Sequence, residues 1–322
     1  MAGDPSRSSK HFAFEAIADG VRFGRARREG TALSNTTIVD LGDRTLVFDT
    51  SLTLEAAREI RAAALAATRR APALVVNSHW HFDHLGGNQE FASAPIYATR
   101  RTREIVLDQR AEMEEELTPT RLGADLLRLE HEQRAAPTAA ARAVYENALG
   151  LSRALLAEGP ERRLTPPTAT FEDELRLPGD RDVRLMTFGS GHTESDAILY
   201  LRKEGIVCAG DLVVAGTHPN LVSGDPRHWI EVLDRLRELR PRAIVTGHGP
   251  LGTDETIATM RDYLVTVLAL ARGPGTPEVP ERFRAWPETD QFAANIARAR
   301  GSPAGAAAPS PSDAGGGPRD PR

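Results

Sequence analysis

Cysteine is almost absent: Cys208 is the only one in 322 residues, so the chain cannot draw stability from an intrachain disulfide. Its neighbours Ile206, Val207 and Ala209 are apolar, which places the thiol in the expected core. No window of ~18 apolar residues occurs, and Met1–Lys10 lacks the apolar segment of a secretory leader. A membrane-spanning helix is thereby excluded, and a cytoplasmic protein is the expectation. Blocks of Lys and Arg that could track a phosphate backbone are missing too, and the net charge is -5. Nucleic acid is therefore not an expected partner. No internal repeat is evident.

What is present is an apolar fraction of 40%, enough for a sizeable core in one domain with additions. Phe12–Phe23 reads as one strand ending at Gly24, and Thr37–Leu41 and Thr45–Asp49 flank Gly42-Asp43-Arg44 as a hairpin. Thr53 is the expected N-cap of an alanine-rich helix to about Arg69, broken by Pro72. Leu74–Val76, Pro95–Ala98, Val183–Thr187, Ala197–Leu201, Gly205–Ala209 and Ala243–Val245 read as further strands. Asp225-Pro226 and Thr253 start helices with buried stripes Trp229, Leu233, Leu236 and Ile257, Met260, Leu264, Val267. Strands alternating with helices predict a layered α/β domain over 12–270.

Residues 100–165 differ, with scarce glycine and dense charge. Leu122, Leu126 and Leu129, then Val144, Ala148, Leu151 and Leu155 after Pro137-Thr138, recur at helical spacing and predict an inserted pair of helices. Candidate roles are a lid, a homodimer contact or plain elaboration. Residues 1–11 are expected to be flexible and 271–300 to form a proline-rich extension. The stretch 301–322, nearly all Ala, Gly, Pro, Ser and Asp, is expected to be disordered.

Directly after Leu74–Val76 comes the stretch Asn77-Ser78-His79-Trp80-His81-Phe82-Asp83-His84-Leu85-Gly86-Gly87-Asn88. A lone histidine is most often structural, but three imidazoles and a carboxylate this close would be costly to bury unpaired. His79 and His81, two apart in an extended segment, share a side, whereas the adjacent Asp83 and His84 diverge. Two metal ions fit this pattern better than one. The ligands belong to a strand-end loop, unlike the helical zinc-protease motif with two histidines around a glutamate.

His-x-His-x-Asp-His followed by Leu-Gly-Gly-Asn resembles the signature of the metallo-β-lactamase superfamily of metal-dependent hydrolases. The resemblance implies a four-layer αββα sandwich with an inserted helical segment, and further ligands downstream. Candidates stand in order: His192 in Gly189-Ser190-Gly191-His192-Thr193, Asp211 in Cys208-Ala209-Gly210-Asp211, and His248 in Thr246-Gly247-His248-Gly249-Pro250. By the same resemblance His79, His81 and His192 hold a first metal, Asp83, His84 and His248 a second, and Asp211 bridges them. Two zinc ions per chain suit nitrogen and carboxylate ligands without thiolate, with iron or manganese as alternatives. The implied reaction is attack of a shared hydroxide on an ester, thioester, lactone or amide carbonyl of a small molecule, oriented by Asp83 as the catalytic residue.

Asp211 resembles the bridging aspartate of hydroxyacylglutathione hydrolase-like members more than the cysteine or serine typical of true β-lactamases. Two readings compete with the hydrolase: a persulfide dioxygenase with one iron on His79, His192 and Asp211, and a metal-stabilised binding protein without turnover. His218, seven residues after Asp211, is a candidate substrate contact, with an idle loop histidine as the even alternative. Asp49, Thr193 and Asp196 are candidates for fixing imidazole orientation. The loop Arg27–Asn35 is placed by the resemblance over the metals, while His11, His131 and His228 read as residues without a role in the site.

Overall fold

A computed structural model describes residues 9–275 and 277–301. Its first sheet contains, in spatial order, β1 (Phe12–Ala18), β2 (Val21–Ala26), β3 (Thr36–Asp40), β4 (Thr45–Phe48), β5 (Pro72–Val76), β6 (Ile96–Thr99) and β7 (Ala169–Phe171). Strands β1 to β4 pair antiparallel, and β4 to β7 pair parallel. The second sheet runs β8 (Glu174–Arg176), β9 (Val183–Thr187), β10 (Ala197–Leu201), β11 (Ile206–Gly210) and β12 (Ala243–Thr246), with β11 and β12 its parallel pair. The helices are α1 (Leu54–Thr68), α2 (Phe82–Leu85), α3 (Arg100–Asp108), α4 (Arg110–Glu116), α5 (Pro119–Ala135), α6 (Ala139–Glu158), α7 (Pro226–Glu238), α8 (Asp254–Leu270) and α9 (Thr289–Ala299).

The period of two in the strands separates an inner from an outer layer. Leu46, Phe48, Leu74 and Val76 meet Leu199, Cys208 and Val245 between the sheets. Val47 and Val75 face outward onto Ala56, Ala57, Ile60 and Ala64 of α1. On the opposite face Ile198, Val207 and Ile244 pack against Trp229 and Leu233 of α7 and Met260 and Leu264 of α8. Strands covered on both faces explain the short, nearly continuous apolar runs in the sequence. The result is the expected four-layer αββα sandwich.

Helix starts follow the local code. Thr53 accepts from Ala56 N, Asp225 accepts from Arg227 N and His228 N with Pro226 behind it, and Thr253 forms a capping box with Thr256.

Three expectations change. Phe12–Phe23 is two strands, because Gly20 at φ 66 turns the chain and β1 pairs back on β2. The insertion holds four helices where a pair was expected: Thr99 caps α3, α4 follows at once, and Thr118 with Pro119 starts α5. Charge hid α3 and α4, whose buried positions are few, among them Ile105, Val106 and Met113. Those residues, with Leu122, Leu151 and Leu155, pack against Leu52, Trp80, Phe82 and Leu85 around the histidine loop. Lastly, the segment after 270 contains α9, and Phe283, Phe292 and Ile296 complete the core beneath α8.

The expected flexible start and disordered tail lie outside the described residues for 1–8 and 302–322. Ser9, Lys10 and His11, by contrast, all bond to the Glu59 carboxylate on α1. Among the described residues no helix is long and apolar enough to cross a membrane.

Candidate metal centre

The candidate ligands all leave the ends of strands. His79 lies in the bend that follows β5, His81 is in extended backbone, and α2 begins after it, so Asp83 and His84 leave the helical turn in new directions. His192 stands in the loop from β9 to β10, Asp211 directly after β11, and His248 two residues after β12. Glycine is required beside them: a Cβ on Gly247 would lie 1.8 Å from Asp211 Oδ1, which no side chain can tolerate.

The seven side chains form two groups that could hold a metal ion, His79, His81, His192 and Asp211 in one and Asp83, His84 and His248 in the other. Within each group the ligand atoms lie within 4.8 Å of one another. Asp211 touches both: its Oδ1 is 3.2 Å from His84 Nε2, and its Oδ2 is 3.2 Å from His248 Nε2 and 3.4 Å from His192 Nε2. Asp83 Oδ2 lies 3.3 Å from His84 Nε2 and 3.2 Å from His248 Nε2. His192 Nε2 and His81 Nδ1 are 2.9 Å apart.

Hydrogen bonds behind the rings decide which nitrogen faces inward. Asp49 Oδ2 lies 2.8 Å from His84 Nδ1 and also accepts from Ser78 Oγ, which in turn reaches His79 Nδ1 at 2.9 Å. The Asn220 carbonyl accepts from His192 Nδ1 at 3.1 Å. His81 is reversed, with Nε2 near Ser223 Oγ and Nδ1 turned inward. After these bonds are made, His79 Nε2, His84 Nε2, Asp83 Oδ2 and Asp211 Oδ1 remain buried without a hydrogen-bond partner. Orphaned atoms of this kind are rare in a core and mark a place for an ion or a reactant.

Electrostatics sort the groups. Burial pushes His81 down to about 4 and His192 down to about 3, and burial with the neighbouring imidazoles holds His79 well below its ordinary value. Burial alone would raise Asp83 and Asp211, but His84 and His248 outweigh it and keep both carboxyls well below the usual range. Against the same burial, Asp83, Asp211 and Asp49 lift His84, and Asp211 and Asp83 lift His248 to about 10. Two carboxylates and several imidazoles thus share one buried space whose negative charge favours cations.

Of the other candidates, Asp49 touches His84 directly, whereas Thr193 and Asp196 bond to each other and brace the His192 loop. His218 is buried in the wall of a cleft of about 280 Å³ that includes Asp211 and His248, with Nδ1 at 3.1 Å from Tyr263 Oη. His131 is exposed, His11 is buried under Thr31 far along the chain from the site, and His228 Nδ1 donates to Ser190 O at 2.5 Å, so it steadies the His192 loop. Sequence reading missed Ser78 and Asn35. The Asn35 amide donates to Thr246 O at 2.8 Å and Gly249 O at 3.0 Å, stitching the Arg27–Asn35 loop to the His248 loop. A polar Ser34-Asn35 pair just before a buried strand was the available signal.

Comparison with known proteins agrees with this architecture. The model of the metallo-beta-lactamase superfamily matches residues 30–248, a span that includes every candidate ligand. No curated protein matches the chain in sequence. Among solved structures, a metallo-beta-lactamase from Pontibacter korlensis superposes with a TM-score of 0.58 at 17% identity, covering 79% of this chain and 99% of the other. FIM-1 from Pseudomonas aeruginosa in its mono-zinc form gives 0.55 at 18% identity, with 80% and 96% covered. A metallo-beta-lactamase from Erythrobacter litoralis gives 0.55 at 18%, with 80% and 98% covered. At such identities the likeness is one of fold. With the family model spanning all four ligand loops and the two-sheet sandwich beneath them, the chain belongs to the metallo-beta-lactamase superfamily.

Proposed function

We propose that this protein is a dinuclear metal-dependent hydrolase acting on an ester, thioester, lactone or amide carbonyl of a small molecule. The observation that carries the reading is Asp211, one carboxylate in contact with imidazoles of both groups, His192 on one side and His84 and His248 on the other. His79, His81 and His192 would hold one ion, Asp83, His84 and His248 the other, with Asp211 shared. The residues fit such a pair: four of their buried atoms lack hydrogen-bond partners, and the only thiol, Cys208, lies in the core beside Thr37. Nitrogen and oxygen donors alone suit zinc, with iron or manganese as alternatives.

When bound, such ions lower the pKa of water from about 16 towards about 7 and polarise a carbonyl. Residues of the chain do the remaining work. Asp49, Ser78 and Asn220 fix the imidazoles that face inward. Asp83, the buried carboxylate between His84 and His248, is placed to orient the attacking water and take its proton. The cleft beside Asp211 and His248 seats the substrate, with His218 in its wall. Asp211 in the bridging position supports kinship with the hydroxyacylglutathione hydrolase-like members over β-lactam cleavage. A single iron on His79, His192 and Asp211 would leave Asp83, His84 and His248 without a task, which disfavours the dioxygenase. Metal analysis of anaerobically handled protein, joined to assays with thioesters, lactones, β-lactams and phosphodiesters, tests the reading. Two zinc per chain with carbonyl hydrolysis supports it; one iron with oxygen uptake replaces it.

A further inference from the structure

The cleft at the metal centre does not end where Asp211 and His248 face it. Leu33 and Glu288 form part of its border, and the same two residues border a second pocket of about 260 Å³. The far wall of that pocket is the inserted helix α6, through Val144, Ala148 and Leu151, and its rim carries Arg27 and Arg28. Leu33 holds a left-handed backbone at φ 67, a conformation that non-glycine residues keep only where surrounding contacts impose it, as at ligand clamps. The dividing residue is thus fixed in place by the fold. At ~30 Å³ per water, the second pocket has room for about eight non-hydrogen atoms.

Its chemistry is two-sided. Val144, Ala148 and Leu151 are an apolar wall, while Arg28 is exposed with no hydrogen bond or ion pair among the described residues. Arg27 gives only its Nε, to Phe12 O at 2.9 Å. Arg58 and Arg61, by comparison, are paired with Glu90, and Arg70 with Asp40. Glu288 is the one carboxylate in the lining, so two guanidiniums against it leave a positive balance. An unpaired guanidinium at the mouth of an apolar pocket matches a ligand with a hydrocarbon body and an anionic end.

We propose that this pocket is a second compartment of the substrate site, taking the end of the substrate remote from the scissile carbonyl, an apolar chain that terminates in an anionic group near Arg28. The proposal rests on the hydrolase reading for the orientation of the substrate, and assigns the insertion a role in specificity.

Paired aryl esters of equal length test it: p-nitrophenyl octanoate, the p-nitrophenyl half-ester of suberate, and p-nitrophenyl acetate as the short reference, on zinc-loaded full-length protein. The wild type should show a KM about fivefold lower for the suberate half-ester than for the octanoate, a size ordinary for a partly exposed charge pair. In Arg28→Gln that ratio should fall to about one, and in Val144→Trp the preference of both long esters over acetate should shrink. An unchanged suberate-to-octanoate ratio in Arg28→Gln overturns the proposal. Should none of the three esters be cleaved, the hydrolase reading is left to the wider substrate panel, and calorimetric titration with suberate decides the compartment. Binding about fivefold weaker in Arg28→Gln upholds it, and equal binding refutes it.

Discussion

Asp83 is buried with Oδ2 3.3 Å from His84 Nε2 and 3.2 Å from His248 Nε2, at the centre of the candidate site and outside the apolar core. Asp83→Ala is expected to lower kcat by about 10³-fold, the scale of removing a positioned proton acceptor, while circular dichroism stays native. Wild-type turnover in that variant would remove Asp83 from the chemistry. Asp49 acts through others. It is buried with φ 63, accepts from Ser78 N at 2.7 Å, and holds His84 Nδ1. Because its conformation is costly for a non-glycine residue, the fold keeps it for the bonds it makes. Asp49→Asn should weaken zinc affinity by about tenfold, read by competition with a chromophoric chelator. Equal affinity would reduce Asp49 to a purely structural aspartate. At this scale the sequence was informative about ligand types, because a histidine–aspartate cluster after a buried strand has few other uses, but the partners behind the rings come from other loops.

Among elements, the C-terminal helix α9 reaches the site through one side chain. Asn295 Nδ2 donates to Pro219 O at 2.7 Å and Tyr263 Oη at 3.0 Å, and Oδ1 accepts from Leu221 N at 3.2 Å. The loop so clamped carries Asn220, whose carbonyl holds His192, and Ser223, which faces His81. Asn295→Ala leaves two buried main-chain groups unpaired and should cost about 2 kcal/mol in urea denaturation, with a measurable drop in metal affinity. Loss of stability with no change in metal binding would show that the clamp serves the core alone. The proline-rich reading of 271–300 passed over this helix because it starts at Glu288 in left-handed backbone with no side-chain cap, although Phe292 and Ile296 stand one turn apart and meet the core under α8. Helices α7 and α8 were legible because caps and apolar stripes are written within a few residues of one another.

For the molecule as a whole, the candidate ligands come from both sheets: His79 to His84 follow β5 of the first, while His192, Asp211 and His248 follow strands of the second. Bound metal should therefore clamp the two sheets together at one edge. Chelation followed by gel filtration is expected to lower stability by about 3 kcal/mol relative to protein in hundredfold excess of metal over Kd, with recovery on adding zinc. A melting temperature indifferent to chelator and to added zinc would mean that no ion occupies the site.

The sequence by itself determined the candidate ligand types, their four strand-end loops, the helix caps and the two-faced burial of the strands, all set by spacing over a few residues. Only the tertiary structure decided that Asp211 stands between the two groups, that the insertion packs as four helices on the histidine loop, and that Leu33, Val144, Asp211 and Glu288 surround adjoining cavities. The physical reason is range. Caps and periodicities arise from forces within one or two turns of chain, whereas the meeting of residues far apart in sequence follows from which apolar faces the whole chain buries together.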